Sequence, residues 1–304
     1  MVDEMNIVKK AIQIGWSNIK KSYNYWLYRF TGNDYHFDVN IMSIDQTLDY
    51  MEIPGNSIVR YGDGEFMLMC GGNIGRYQSA NDELAKRLKS ILIEQNERLL
   101  VCLPEPFAGV EKYVTRSKKH WILHNKDSRD IYQTLIDPQT RYGNSFVSRP
   151  YLIYADKSKC KGWFNRIKCL FSGKDITIIE GIYSRTGVGN DLFAGANSVE
   201  RILCPPNNAF ERYEQILGIS KQINKDRLIL VALGPTGKLL TYDLVKMGYW
   251  VLDVGHIDSE YEWFLMNATK KVALTNKHTA EHNSDVIGEC TDEKYNASIV
   301  QKID

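Results

Sequence analysis

The sequence lacks most of the features that would set it apart from ordinary globular proteins. Its six cysteines, at positions 70, 102, 160, 169, 204 and 290, include no C-x-x-C pair, which removes the usual zinc-ribbon and dithiol redox patterns. Nothing at the start resembles a cleavable signal peptide, so the expectation is a reduced, cytoplasmic protein. No apolar run approaches the roughly 20 residues needed to cross a bilayer, and the chain is not expected to span one. Charge of either sign is almost cancelled, 38 Lys and Arg against 37 Asp and Glu, leaving +1. Such a chain has no global field to attract a polyanion, so nucleic acid is not an expected partner. Internal repeats, low-complexity tracts and obvious linkers are also missing.

What remains is a chain of 304 residues, 43% hydrophobic and 25% charged, enough for one large domain or two small ones. Near its start, Val8, Ile12, Trp16, Ile19, Tyr23, Leu27 and Phe30 recur at helical spacing, with Lys9, Lys10, Lys20 and Lys21 between them. This predicts an amphipathic helical extension over residues 1–40. The helix could pack on the main domain, pack on a second subunit of a homodimer, or lie on an anionic membrane at its inner face. From about Ile41, short β-rich runs alternate with helical patterns, the signature of a doubly wound, mostly parallel α/β sheet over residues 41–304. The predicted strands are Ser57 to Tyr61, Arg98 to Leu103, Ile176 to Glu180, Arg201 to Cys204, Arg227 to Leu233 and Tyr249 to Val254. Helices are expected over Asn81 to Ile93 and Phe210 to Ile219. Sites in such sheets form beyond the carboxyl ends of the strands.

Four strand exits carry chemistry. After Ser57 to Tyr61 comes Gly62-Asp63-Gly64-Glu65, where the carboxylates offer hard oxygen ligands for Mg²⁺ or Mn²⁺ or, alternatively, Asp63 caps a helix. After DITIIEG comes a loop from Ile182 to Ser198, rich in glycine and carrying Arg185, suited to phosphate oxygens or to a plain surface role. Glu180, ending that apolar strand, is a buried carboxylate that needs a partner. After DRLILVAL comes a turn and helix from Gly234 to Gly248, whose N-terminus and Lys238 favour phosphate. Leu239 stands where a Walker A loop would need Ser or Thr. After YWVLDV come His256, Asp258 and Glu260, following Asp253, which could supply a general base or further metal contacts or merely cap a helix. Together these exits suit a nucleotide diphosphate held with a divalent cation.

The run Arg60-Tyr61-Gly62-Asp63-Gly64-Glu65, with SFVSRPY, GIYSRTGVGNDLF, ALGPTGK and DVGHIDSEYEW following in order, resembles the bacterial GT-D-fold glycosyltransferases. The resemblance covers most of the chain after the N-terminal helix. It implies a Rossmann-like fold, a nucleotide-sugar donor, read here as a UDP-hexose, and a glycan acceptor in surface polysaccharide or glycoprotein synthesis. It casts Asp63 and Glu65 as the D-x-E motif that holds Mn²⁺ or Mg²⁺. Arg60, Gly62, Glu180, Arg185, Thr186, Gly187, Asn190, Gly234, Pro235, Thr236, Lys238 and Asp253 then become nucleotide-sugar contacts, with Arg185, Thr236 and Lys238 on the phosphates. His256 and Glu260 would line the sugar or acceptor pocket, and Asp258 or Glu260 would be the base of an inverting reaction.

Two other readings compete. His278-Thr279-Ala280-Glu281-His282 fits the H-x-x-E-H pattern of some zinc peptidases, although its neighbours are polar. A non-catalytic nucleotide-sugar binding module is the other, against which both D-x-E carboxylates argue. His120 and His124, one helical turn apart beside Lys118 and Lys119, read as a solvated face.

Overall fold

The computed structural model describes residues 2–75, 77–94, 96–279 and 287–304, with side chains in the first helix from residue 15 onward. Chain order is α1 (Val2–Thr31), β1 (Asn40–Ile41), α2 (Ile44–Met51), β2 (Ser57–Arg60), α3 (Asp63–Met69), α4 (Asp82–Ile93) and β3 (Leu99–Leu103). It continues with α5 (Thr115–Leu135), β4 (Arg141–Asn144), α6 (Cys160–Phe171), β5 (Asp175–Gly181), β6 (Ser198–Cys204), α7 (Tyr213–Ser220) and β7 (Leu228–Ala232). Last come α8 (Gly234–Lys246), β8 (Trp250–Asp253), α9 (Ile257–Leu265), α10 (Glu293–Ser298) and β9 (Ile299–Lys302).

The strands form one nine-stranded sheet in the order β1-β4-β3-β2-β8-β7-β5-β6-β9, parallel at every pairing. Its centre follows from composition. All of β7, LILVA, is buried, as are Ile176, Ile178 and Ile179 of β5, the continuous apolar runs expected of strands covered on both faces. Helices start where side chains can serve their free N–H groups: Ser43 and Gln46 form a reciprocal capping box on α2, and Asn81 caps α4. The six predicted strands are all present. Three more, β1, β4 and β9, were not expected. β1 has only two residues, β9 lies at the sheet edge with three of its four residues exposed, and β4, RYGN, has little apolar signal.

Helix α1 packs on α5. Tyr28 is buried there, its hydroxyl donating to Glu111, and Lys126 of α5 donates to Asn24 Oδ1 at 2.8 Å. Packing on the main domain is therefore how the described part of this helix is held. No helix among the described residues is long and apolar enough to cross a membrane.

Candidate active site

A cleft of about 1450 Å³ runs across the carboxyl ends of the strands. Residues following β2, β4, β5, β7 and β8 line it, and α5 and the inner face of α1 close one side. The lining holds eight Lys or Arg (Lys21, Arg60, Arg116, Lys119, Arg149, Lys238, Lys270, Lys271) against three acids (Asp63, Glu65, Asp258). The near-zero charge of the whole chain thus conceals a basic cleft, which favours an anionic ligand.

The floor is one connected ion-pair network. Lys238 Nζ lies 3.2 Å from Glu65 Oε1 and 3.1 Å from Asp253 Oδ2. Arg60 grips the same Asp253: its backbone N–H donates to Oδ2 at 3.0 Å, its Nη2 to Oδ1 at 2.8 Å and its Nε to the carbonyl at 2.7 Å. Arg60 Nη1 also donates to Ser148 Oγ. Burial opposes ionisation of Asp253, but Arg60 and Lys238 hold its carboxyl below the usual range. The approach is so close at Gly255 (φ +43°) that a Cβ there would stand 1.9 Å from Arg60 Nη2. Gly234 (φ +53°) is equally constrained, with Tyr77 2.3 Å from where its Cβ would be. It opens α8, whose first two residues, Gly234 and Pro235, line the cleft.

The two D-x-E carboxylates differ in environment. Glu65 is largely buried; its Oε2 accepts from Gly62 N at 2.8 Å, closing the first turn of α3, and its Oε1 faces Lys238. Asp63 is half-exposed to the cleft, with its Oδ2 3.2 Å from His120 Nε2. Burial works against its ionisation, yet the hydrogen bond and charge of His120, with the charge of Arg149, keep its carboxyl well below the usual range. His120 and His124 therefore do not form a solvated face. His120 points into the cleft, and the ring of His124 stacks behind it at 5.8 Å, with Tyr132 Oη 2.7 Å from His124 Nε2. Proximity in sequence to lysines concealed this, because α5 is amphipathic the other way round, with Trp121 and Ile122 buried. Arg149 in SFVSRPY, a cleft residue that sequence reasoning passed over, acts on Asp63 from a separate strand exit.

Beyond β5 and β8 several assignments change. Glu180 is not a ligand contact: it is fully buried, paired with Arg201 Nη1 at 2.5 Å and accepting from Thr186 N at 2.8 Å. Arg185 does not face phosphate either, because its guanidinium donates to the carbonyls of Asn276 (2.8 Å) and Gly288 (2.6 Å). Thr186 lines the cleft, but Gly187 N–H and Asn190 Nδ2 are spent on Asp258 Oδ1, at 2.7 and 2.8 Å. The glycine-rich loop thus anchors a carboxylate instead of cradling an anion. Thr236 is buried off the cleft, whereas Gly234, Pro235 and Lys238 line it.

Of the two base candidates, only Asp258 borders the cleft. Lys277 Nζ, a buried cation the sequence did not flag, lies 2.9 Å from Asp258 Oδ2 and 2.8 Å from Glu262 Oε1. Burial raises the pKa of Asp258 despite that pairing. Glu260 is a correction: it is fully buried and accepts from the backbone N–H groups of Tyr151 (3.2 Å) and Leu152 (3.0 Å), so it shapes the wall without lining the pocket. His256, at the start of α9, does line the cleft. His278 lines it too, stacked on Tyr77 at 6.4 Å, while Ala280, Glu281 and His282 of the H-x-x-E-H pattern lie outside the described residues.

A cation ligand set can be tested against this geometry. Asp63 fits: it is open to the cleft and ionised, and His120 beside it offers a nitrogen donor. Glu65 has both oxygens engaged already, by Gly62 N–H and Lys238, so it does not present a free ligand atom and would act on a cation only through Lys238. No group of three or more His, Cys, Asp or Glu converges among the described residues, so a bound ion would complete its shell with ligand oxygens and water.

Fold and cleft together define a Rossmann-like α/β protein with its site where such sheets bind ligands. The family model described as glycosyltransferase GT-D fold matches residues 58–282, and the chain belongs to the GT-D-fold glycosyltransferases. It is 45% identical over 267 residues to the probable glycosyl transferase Gly of Streptococcus gordonii, covering 87% of this chain and 39% of that protein. The glycosyltransferase GlyD of Streptococcus pneumoniae serotype 4 is 44% identical over the same share of this chain and 33% of its own length. The chain thus spans between a third and two-fifths of the curated relatives it matches. Among solved structures, the highly conserved domain of unknown function 1792 with a distinct glycosyltransferase fold superposes with a TM-score of 0.84 at 45% identity, covering 88% of this chain and 96% of that one. A glycosyltransferase of the same domain type from Streptococcus sanguinis gives 0.83 at 46% identity, covering 88% and 100%.

Proposed function

We propose that the chain transfers a sugar from a nucleotide-diphosphate donor, a UDP-hexose, to a glycan acceptor of surface polysaccharide or glycoprotein, with Mn²⁺ or Mg²⁺ at Asp63. The observation that carries this reading is the meeting of Asp63, Lys238 and the N-terminus of α8 in one basic cleft at the strand ends. Bond breakage at the anomeric carbon leaves negative charge on the departing diphosphate, and preorganised positive groups stabilise it there. A divalent ion would add Lewis-acid neutralisation of the same oxygens. Lys238 is held in place by Glu65 and Asp253, so it needs no reorganisation as that charge develops. If configuration inverts, we assign the acceptor proton to Asp258, because of the two base candidates it alone borders the cleft and burial raises its pKa.

Glu65→Ala tests the arrangement. The account expects a folded protein, less stable by about 1 kcal/mol through loss of the bond to Gly62, that no longer releases UDP from a UDP-hexose or transfers the sugar. Unchanged release would overturn the role of the Glu65–Lys238 pair. A zinc peptidase would instead lose its bound zinc in His278→Ala, whereas a glycosyltransferase would not.

A further inference from the structure

The face of α1 opposite α5 carries Trp16, Ile19, Tyr23, Trp26 and Phe30, each between 56% and 71% exposed. Their steps of three and four residues align them in one stripe along the helix. The other face is accounted for by Asn24, Tyr25 and Tyr28 against α5. A contiguous apolar stripe left in water on an otherwise charged surface marks a contact surface.

Charge identifies what the stripe meets. Between Met5 and Asn33 the sequence has Lys9, Lys10, Lys20, Lys21 and Arg29 and no Asp or Glu. Lys20 and Arg29 are exposed and flank the stripe on either side. Two tryptophans and a tyrosine beside basic residues match the boundary between lipid headgroups and acyl chains, where the rings insert and the cations meet anionic headgroups. A second copy of the helix would bring lysine against lysine along this stretch, since its acids, Asp3 and Glu4, both lie at its first turn, which is unfavourable.

We propose that this face of α1 docks the protein on an anionic lipid surface. The inner face of the same helix supplies Asn18, Lys21 and Ser22 to the cleft. Docking therefore places the cleft mouth beside the bilayer, within reach of an acceptor carried on a lipid. The family model starts at residue 58, beyond α1, so its match does not include this surface. The inference does not depend on the identity of the donor.

The test is co-sedimentation of the full chain with vesicles of phosphatidylcholine mixed with phosphatidylglycerol, set against phosphatidylcholine alone. Wild type should bind the anionic vesicles, less so as salt rises. The double variant Trp26→Glu, Phe30→Glu should bind at least about tenfold more weakly, with an unchanged melting temperature because both side chains point to solvent. Failure of wild type to bind, or equal binding by the variant, overturns the proposal. A dimer seen by light scattering that the same variant dissolves, without vesicle binding, would assign the stripe to self-association instead.

Discussion

His120 and His124 sit one turn apart on α5, yet the first faces Asp63 at 3.2 Å while the second is enclosed by Tyr132, Phe107 and Trp121. Burial pushes His124 down to about 4 from 6.5, so it is neutral in the fold at pH 7 and charged in the unfolded chain below about 6.5. Between these values the unfolded state binds the extra proton. Stability therefore falls as pH drops from about 6.5 towards about 4, by up to about 3 kcal/mol from this residue. Urea midpoints for wild type and His124→Gln should diverge most near neutral pH and converge as pH falls, and parallel pH profiles would contradict the assignment. At this scale sequence reading found residue types better than contacts. Asp63, Lys238, Gly234 and His256 reach the cleft as their positions after strands implied, whereas Arg185 and Glu180 do not. Chain position gives the strand exit, but the direction of a side chain depends on partners such as Arg201 or the carbonyl of Asn276, which lie far away in sequence.

Elements were legible in proportion to their burial. β5 and β7 announce themselves because six of seven positions in β5 and all five in β7 are buried between two helical layers, which makes both runs mostly apolar. β4 does not, since its Gly143 is there for space: an added Cβ would lie 2.5 Å from Cys102 Sγ of β3. The bend after β8 obeys a similar constraint. Gly255→Ala should destabilise the protein by more than about 1 kcal/mol, because a side chain at φ +43° is strained and displaces the Arg60 guanidinium from Asp253. Chemical denaturation checks this, and an unchanged midpoint would mean that Arg60 shifts without cost.

For the molecule as a whole, a net charge of +1 concealed the most informative electrostatic property, the basic cleft assembled from five strand exits, α5 and α1. Topology explains both why the fold class could be read and why the cleft wall could not. Alternating strand and helix patterns require a parallel sheet, and such a sheet places its site at the carboxyl edge. Local pattern says nothing about which distant helix closes that edge, and here α5 brings His120 and Lys119 to it. The proposed chemistry requires that nucleotide diphosphate and cation bind together at Asp63. The direct measurement is the melting temperature with UDP, with Mn²⁺ and with both, for wild type and Asp63→Asn, since a ligand specific to the folded state raises it. The account predicts a rise with UDP that depends on Mn²⁺ in wild type and is lost in Asp63→Asn. No rise with UDP and Mn²⁺, or the same rise in the variant, would contradict it.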